Sequence, residues 1–389
     1  MKITDIECIP LLVPDFDSEA CSSAQDNLIV KIHTDEGLTG IGETDANPWA
    51  VKGMIEAPGT HIMGLGLKET LMGADPTDVE GLWQRLYDGS AMNGRRGLGI
   101  HAIGALDMAL WDLRGKKAGL PVWQLLGGAA REAVTPYASL LPDGHDLDGY
   151  TRSLVDRVTE AQRLGFRAAK LEVCIKGPYS HNAIQIEDDR EIANMVRACR
   201  DAVGGDMTLM IDVAYCWPEW RAALRAIEMF ADCDMFFVET PLPSDDLDGY
   251  AKLCAASPVR VAIGEWQATR FEFRELIDIG DVDVVQPDVG RCGGLTEARR
   301  IARYAEDRGR LVVPHCWKSA LGIAASAHLS VISPACTYIE YLPHELADSA
   351  LRKDLVTEEL PMVDGRIPLP TKPGLGVELN EDAIAKYRV

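Results

Sequence analysis

Residues 208–242 read TLMIDVAYCWPEWRAALRAIEMFADCDMFFVETPL. An apolar run ends in Asp212, a stretch with apolar positions at helical spacing follows, and a second apolar run ends in Glu239. Strand, helix, strand at this length is a βαβ unit, whose two strands lie parallel in one sheet. The pattern continues on both sides. Upstream are VTPYASLL (134–141) and FRAAKLEV (166–173); downstream are VRVAIGEW (259–266), DVVQPDVG (283–290), RLVVPHCW (310–317) and TYIEYL (337–342). Eight such runs separated by helical stretches predict an α/β chain built on a TIM-like (β/α)8 barrel. A doubly wound sheet usually has fewer strands and often carries a glycine-rich phosphate loop.

The flanks read differently. MKITDIECIPLL and NLIVKIHTDEGLTGIGETD alternate apolar and polar residues around a DEG turn, which predicts a small antiparallel sheet over residues 1–60. PTDVEGLWQRLYDG and GIHAIGALDMALWDLRGKKAG carry helical spacing, and GLPVWQLLGG closes the block with breakers. This predicts an N-terminal α+β capping domain over 1–126, a barrel over 127–355, and a Pro/Gly-rich C-terminal segment over 356–389 that returns to the cap.

Composition narrows the function. The 389 residues hold 39 Lys+Arg against 60 Asp+Glu, a net charge of −21, which repels a phosphate backbone and excludes nucleic acid as a partner. No segment reaches the ~18 consecutive apolar residues of a membrane span, and the start lacks a basic region followed by a clean apolar one. The expectation is a cytoplasmic protein with no membrane partner. Ten cysteines stand singly with no CxxC pair, so they read as reduced, buried, small hydrophobes.

Polar residues close the apolar runs. Lys170 and Glu172 end the second, and Asp212, Glu239, Glu265, Asp288, His315 and Glu340 end the next six, at gaps of 27, 26, 23, 27 and 25 residues from Asp212 onward. Each gap is one βα unit. A strand-end carboxylate can simply cap the following helix. Capping alone, however, does not demand acidic residues at matching points of consecutive units. A barrel interior is apolar, and a carboxylate there costs several kcal/mol unless it is paired or holds a metal. Catalytic groups of such barrels come from these strand ends.

Asp212, Glu239 and Glu265 on adjacent strands would repel one another, and a hard divalent cation relieves the conflict. An all-oxygen set suits Mg²⁺. Lys170 and Glu172, two residues apart on one strand, share a face. Lys170 can supply the positive charge that an acidic substrate needs. A carboxylate beside an imidazole fixes its tautomer and raises its basicity, so Asp288 with His315 reads as a proton-transfer pair. A metal facing such a pair suits removal of a proton next to a carboxylate, leaving an enediolate.

The motifs ALDMALWDLRGKKAGLPVWQLLGG, GFRAAKLEV, MIDVAY, FFVETPL, AIGEW, QPDVGRCGGLTEARRIA and VVPHCW, in this order, resemble the mandelate racemase subgroup of the enolase superfamily over essentially the whole chain. The resemblance implies Asp212, Glu239 and Glu265 as Mg²⁺ ligands, His315 with Asp288 as the acid/base dyad, Lys170 as a substrate-binding group, and Glu340 as a hydrogen-bond partner of the substrate carboxylate or enediolate. It also implies a homo-oligomer. The family's second strand often reads Lys-x-Lys, the second Lys being a base on the far face; here it reads Lys170-Leu171-Glu172. The position two after the third-strand ligand, often Asn or His, is Ala214. With one evident base, the chain is similar to acid-sugar dehydratases such as the rhamnonate dehydratases. The implied reaction converts an aldonate or aldarate, the small-molecule partner, to a 2-keto-3-deoxy sugar acid. By the same analogy PDFDSEACSSAQD and DANPWAVKGMIEAP close over the distal end of the substrate, with Lys52 as their only cation, which favours monocarboxylic acids. Two rival readings stand beside this one. One is a racemase or epimerase of a 2-hydroxy acid in which Glu172 or another residue acts as the second base; the other is a non-catalytic acid-sugar binding protein.

Overall fold

The computed structural model describes every residue except 19, 21 and 181–183. Cys21 therefore lies outside the described residues, and eight of the nine other cysteines are buried. The N-terminal part is a three-stranded antiparallel meander of β1 (Ile3–Leu12), β2 (Asp26–Thr34) and β3 (Thr39–Thr44). Helices α1 (Pro48–Glu56), α2 (Leu67–Leu71), α3 (Val79–Gly94), α4 (Leu98–Ala118) and α5 (Val122–Leu126) follow. Nearly all of α4 is buried because it is wedged between the meander and the barrel. The wedge depends on glycine. A Cβ on Gly40 or Gly42 of β3 would stand 2.2 Å from the Ala109 carbonyl oxygen or 2.1 Å from that of Ala105, so only glycine lets strand and helix backbones approach this closely.

The barrel begins after β4 (Ala133–Val134). Its strands are β5 (Pro136–Leu140), β6 (Ala168–Glu172), β7 (Thr208–Asp212), β8 (Met235–Glu239), β9 (Val261–Ile263), β10 (Val284–Val285), β11 (Leu311–Val312) and β12 (Ile339–Tyr341). Neighbours pair in parallel in the order β11-β10-β9-β8-β7-β6-β5-β12. The ring closes through a parallel bridge of Val312 with Cys336 and a hydrogen bond from the Glu340 N–H to the Pro314 carbonyl. Between the strands run α6 (Leu147–Arg163), α7 (Arg190–Val203), α8 (Trp220–Glu228), α9 (Leu247–Ala256), α10 (Thr269–Asp278), α11 (Gly294–Asp307) and α12 (Ala320–Ile332). Beyond α13 (Ala350–Asp354), strand β13 (Ile367–Pro368) pairs with β4, and α14 (Glu381–Tyr387) carries the chain back to β1, where Arg388 bridges Leu11.

Side-chain alternation sorts the interior into layers. Tyr137, Ala168, Met210, Phe237, Ala262, Val284 and Val313 form a closed apolar cluster inside the ring. Two residues later on the same strands, pointing the same way, come Ser139, Lys170, Asp212, Glu239, Gln286 and His315. A packed apolar layer thus floors a polar one. The helix caps are supplied further along the loops, by Asp146, Glu219, Asp246 and Ser319. The carboxylates of Asp212, Glu239 and Glu340 are therefore not spent as helix caps.

Candidate active site

Lys170 is the electrostatic hub of the polar layer. Its ammonium lies 2.8 Å from Glu340, 3.0 Å from Glu239, 3.3 Å from Glu172 and 3.6 Å from Asp212. The side chain is 1 % exposed, so these attractions act with little solvent screening. Burial alone would lower its pKa, but Glu172, Glu239 and Glu340 outweigh burial and hold it well above the ordinary lysine value. Lys170 is thus a fixed cation. Burial drives the carboxyls of Glu172 and Glu239 well above the usual range, and Lys170 offsets only part of that. For Glu340 the balance reverses, because Lys170 and His315 overcome burial and pull it down. Glu340 also accepts from the Cys316 N–H at 2.8 Å and from Ser139 at 2.7 Å.

On the other side of the mouth, His315 Nδ1 sits 2.7 Å from Asp288 Oδ2. The other Asp288 oxygen accepts the Gly290 N–H at 2.7 Å and the Arg291 N–H at 3.1 Å, so this residue both shapes its loop and grips the imidazole. That grip directs Nε2 at Glu265, 3.1 Å away, with Glu340 at 3.8 Å. Burial acts downward on the His315 pKa, but Glu340, Asp288 and Glu265 raise it well above the ordinary value. In return His315 and Arg291, against burial, depress Glu265 to about 2.

The three proposed ligands stand on consecutive strands. Asp212 and Glu239 are register partners, and Glu265 follows β9 directly. Their carboxylates do not point at one spot. Asp212 accepts from Thr240 Oγ1 at 2.6 Å and from the Ala214 N–H at 2.9 Å; Glu239 accepts from Gln286 at 2.6 Å; Glu265 accepts from the Tyr215 hydroxyl at 2.8 Å. Among the described residues, only Asp45, Asp288 and His315 offer three ligand atoms all within 4.8 Å of one another. Asp45 is there for another purpose. It pairs with Arg291 at 2.5 Å and Lys318 at 3.2 Å, which together with His315 overcome its burial and hold it far below the ordinary carboxylate range. The spread of Asp212, Glu239 and Glu265 departs from the expected convergence, because like charges part and each takes the nearest donor. The donor set still fits a hard divalent ion. All its atoms are carboxylate oxygens, and Asp212 and Glu239 crowd with Glu172 around the single ammonium of Lys170.

A cavity of about 250 Å³ opens over this layer, reached by Lys170, Glu172, Asp212, Glu265 and His315 from the barrel and by Ser23 from the capping domain. Lys52, expected at the distal end of the substrate, is not brought there. Helix α1 buries Pro48, Val51 and Ile55, which leaves Lys52 on its flank, with Nζ on the Cys8 carbonyl at 3.1 Å and near Glu56 at 3.6 Å. Besides Lys170, the cation at the cavity is Arg291, which sequence reasoning passed over although it follows the QPDVG motif. Ser139, Tyr215, Thr240, Gln286 and Asp45 were missed as well. Ser139 and Gln286 had a usable signal, lying two residues beyond an inward apolar residue. Asp45 had none, because its role depends on how the cap docks.

Comparison with known proteins identifies the fold and its family. Residues 12–127 match the profile of the mandelate racemase / muconate lactonizing enzyme N-terminal domain, and residues 153–383 match the enolase C-terminal domain-like profile. The chain is 32 % identical over 363 residues to L-rhamnonate dehydratase of Saccharopolyspora erythraea, covering 91 % of this chain and 83 % of that one. It is 30 % identical over 377 residues to D-galactarolactone cycloisomerase of Agrobacterium fabrum, covering 93 % and 91 %. A solved racemase from Streptomyces coelicolor with bound magnesium superposes with a TM-score of 0.83 at 28 % identity over 100 % of both chains. With both halves of the fold matched, one on the cap and one on the barrel, the chain belongs to the mandelate racemase subgroup of the enolase superfamily.

Proposed function

We propose that this chain eliminates water from an aldonate or aldarate, giving a 2-keto-3-deoxy sugar acid. The observation that carries the reading is asymmetry. One face of the cavity holds a buried His315–Asp288 pair, while the strand that bears the second base in racemizing relatives presents Glu172 beside Lys170. Relatives named as a dehydratase and as a lactone cycloisomerase support acid-sugar lyase or isomerase chemistry.

The fixed ammonium of Lys170 attracts the substrate carboxylate and sets the α-carbon toward His315. In its neutral form, reached once Glu265 no longer accepts from Nε2, His315 takes the α-hydrogen as a proton on Nε2, Asp288 stabilises the resulting imidazolium through Nδ1–H, and Nε2 returns the proton to the departing β-hydroxyl. One base so placed suffices for elimination, whereas inversion needs a second on the opposite face. Asp212, Glu239 and Glu265 would hold Mg²⁺, which when bound supplies positive charge that stabilises the enediolate. Arg291 is held by Asp45 and by the carbonyls of Asp45 and Glu265, so it offers a second substrate carboxylate little. Acids with one free carboxylate are accordingly preferred.

The test is a panel of four- to six-carbon acid sugars with Mg²⁺, followed by 2-keto acid formation and by α-proton exchange in D₂O. Keto acid from substrates with one free carboxylate is the expected result. Exchange with no loss of water would assign the chain to epimerisation, and no Mg²⁺-dependent change in any acid would leave only a binding role. Glu239→Gln is expected to weaken Mg²⁺ binding at least about tenfold by titration calorimetry. Unchanged affinity would remove Glu239 from the ligand set.

A further inference from the structure

One wall of the cavity is aromatic, and the elimination chemistry above makes no use of it. Trp266, directly after Glu265, stacks on Tyr215 with ring centroids 4.0 Å apart at 25°. Tyr179 meets both edge-on, 5.3 Å from Trp266 and 5.8 Å from Tyr215. All three line the cavity, yet Trp266 is 41 % exposed while Tyr215 beneath it is 4 % exposed. The open indole is therefore presented to the cavity by a buried support.

The support is itself strained into place. Ala214 and Tyr215 both have positive φ, 46° and 59°, in a region that costs a non-glycine residue roughly 1–2 kcal/mol. The turn is held by the Ala214 N–H on Asp212 and the Tyr215 N–H on the Thr240 carbonyl. Strain of this kind concentrates where a side chain must be aimed at a ligand.

We propose that Trp266, backed by Tyr215 and flanked by Tyr179, is a stacking platform for the part of the substrate beyond the reacting carbons, and that it selects a sugar acid closed into a lactone or anhydro ring, with its carboxylate and the departing β-hydroxyl outside the ring. An extended polyol turns hydroxyls toward any flat surface, and a hydroxyl laid on an indole face loses its hydrogen bonds to water without replacement. A ring gathers C–H groups on one face and presents them to the indole for dispersion contact. The proposal rests on the acid-sugar reading for the reacting end of the substrate.

The experiment compares the full-length protein with Trp266→Ala and Trp266→Phe, all with Mg²⁺, on a ring-closed sugar acid and its open-chain counterpart. Trp266→Ala is expected to raise KM for the ring-closed acid about tenfold more than for the open-chain acid, the loss falling mainly on KM, with Trp266→Phe recovering most of it. In parallel, the ring-closed acid should quench part of the tryptophan emission, and Trp266→Ala should abolish that part. Equal changes in KM for the two acids, or quenching that survives in Trp266→Ala, would overturn the platform. Should the parent protein turn over no acid sugar at all, the elimination reading fails, and the quenching comparison still decides the platform.

Discussion

His315→Asn is expected to lower turnover of any accepted acid sugar by at least about 10³-fold while leaving Mg²⁺ affinity within about twofold. The amide of Asn can keep one hydrogen bond to Asp288 but cannot carry a proton between carbon and oxygen. The metal affinity is the control, because the proposed ligands stand on other strands and His315 touches only Glu265 among them. Turnover and Mg²⁺ binding are read on the same preparation. Activity within tenfold of the parent would mean that another group moves the proton, and Glu172 would be the next residue to replace. Loss of metal binding together with turnover would instead recast His315 as a support for Glu265.

Lys170→Met is expected to cost about 3–5 kcal/mol of stability, the loss typical of removing one partner from a buried ion cluster. Four carboxylates within 3.6 Å of its ammonium would be left facing one another, and Glu239 and Glu340 have no access to solvent. Methionine nearly matches the volume, so the loss reports charge rather than a cavity. Urea unfolding at neutral pH followed by circular dichroism measures it. A midpoint within the equivalent of about 1 kcal/mol of the parent would show that the carboxylates relieve themselves by taking protons, and that Lys170 is there only for the substrate.

The barrel was legible because every strand but the first announces itself twice, as an apolar run and as a polar residue at its end. The pairing order needed no further information, since consecutive βα units of one hand wind into a ring. Legibility fell where strands were shortest. The run DVVQPDVG yields only Val284–Val285 as strand, the rest being drawn into the loop that Asp288 shapes. The Lys52 reading failed for a related reason. Proximity along the chain to a segment near the cavity did not disclose that α1 buries the other side of its surface against β1 and β2.

Local pattern alone specified the staves, the inward face of each, and the strand-end charges that crowd the mouth, though not the loop residues beside them: period-two alternation is a property of the backbone and needs no partner to be read. Folding in three dimensions settled which of those charges oppose one another. Lys170 among four carboxylates, Glu265 turned to His315, Arg291 bound to Asp45 across the junction of cap and barrel, and Trp266 open above Tyr215 all join residues remote in the chain. Electrostatic energy depends on distances of a few ångströms and on exclusion of water, and only the packed structure sets either.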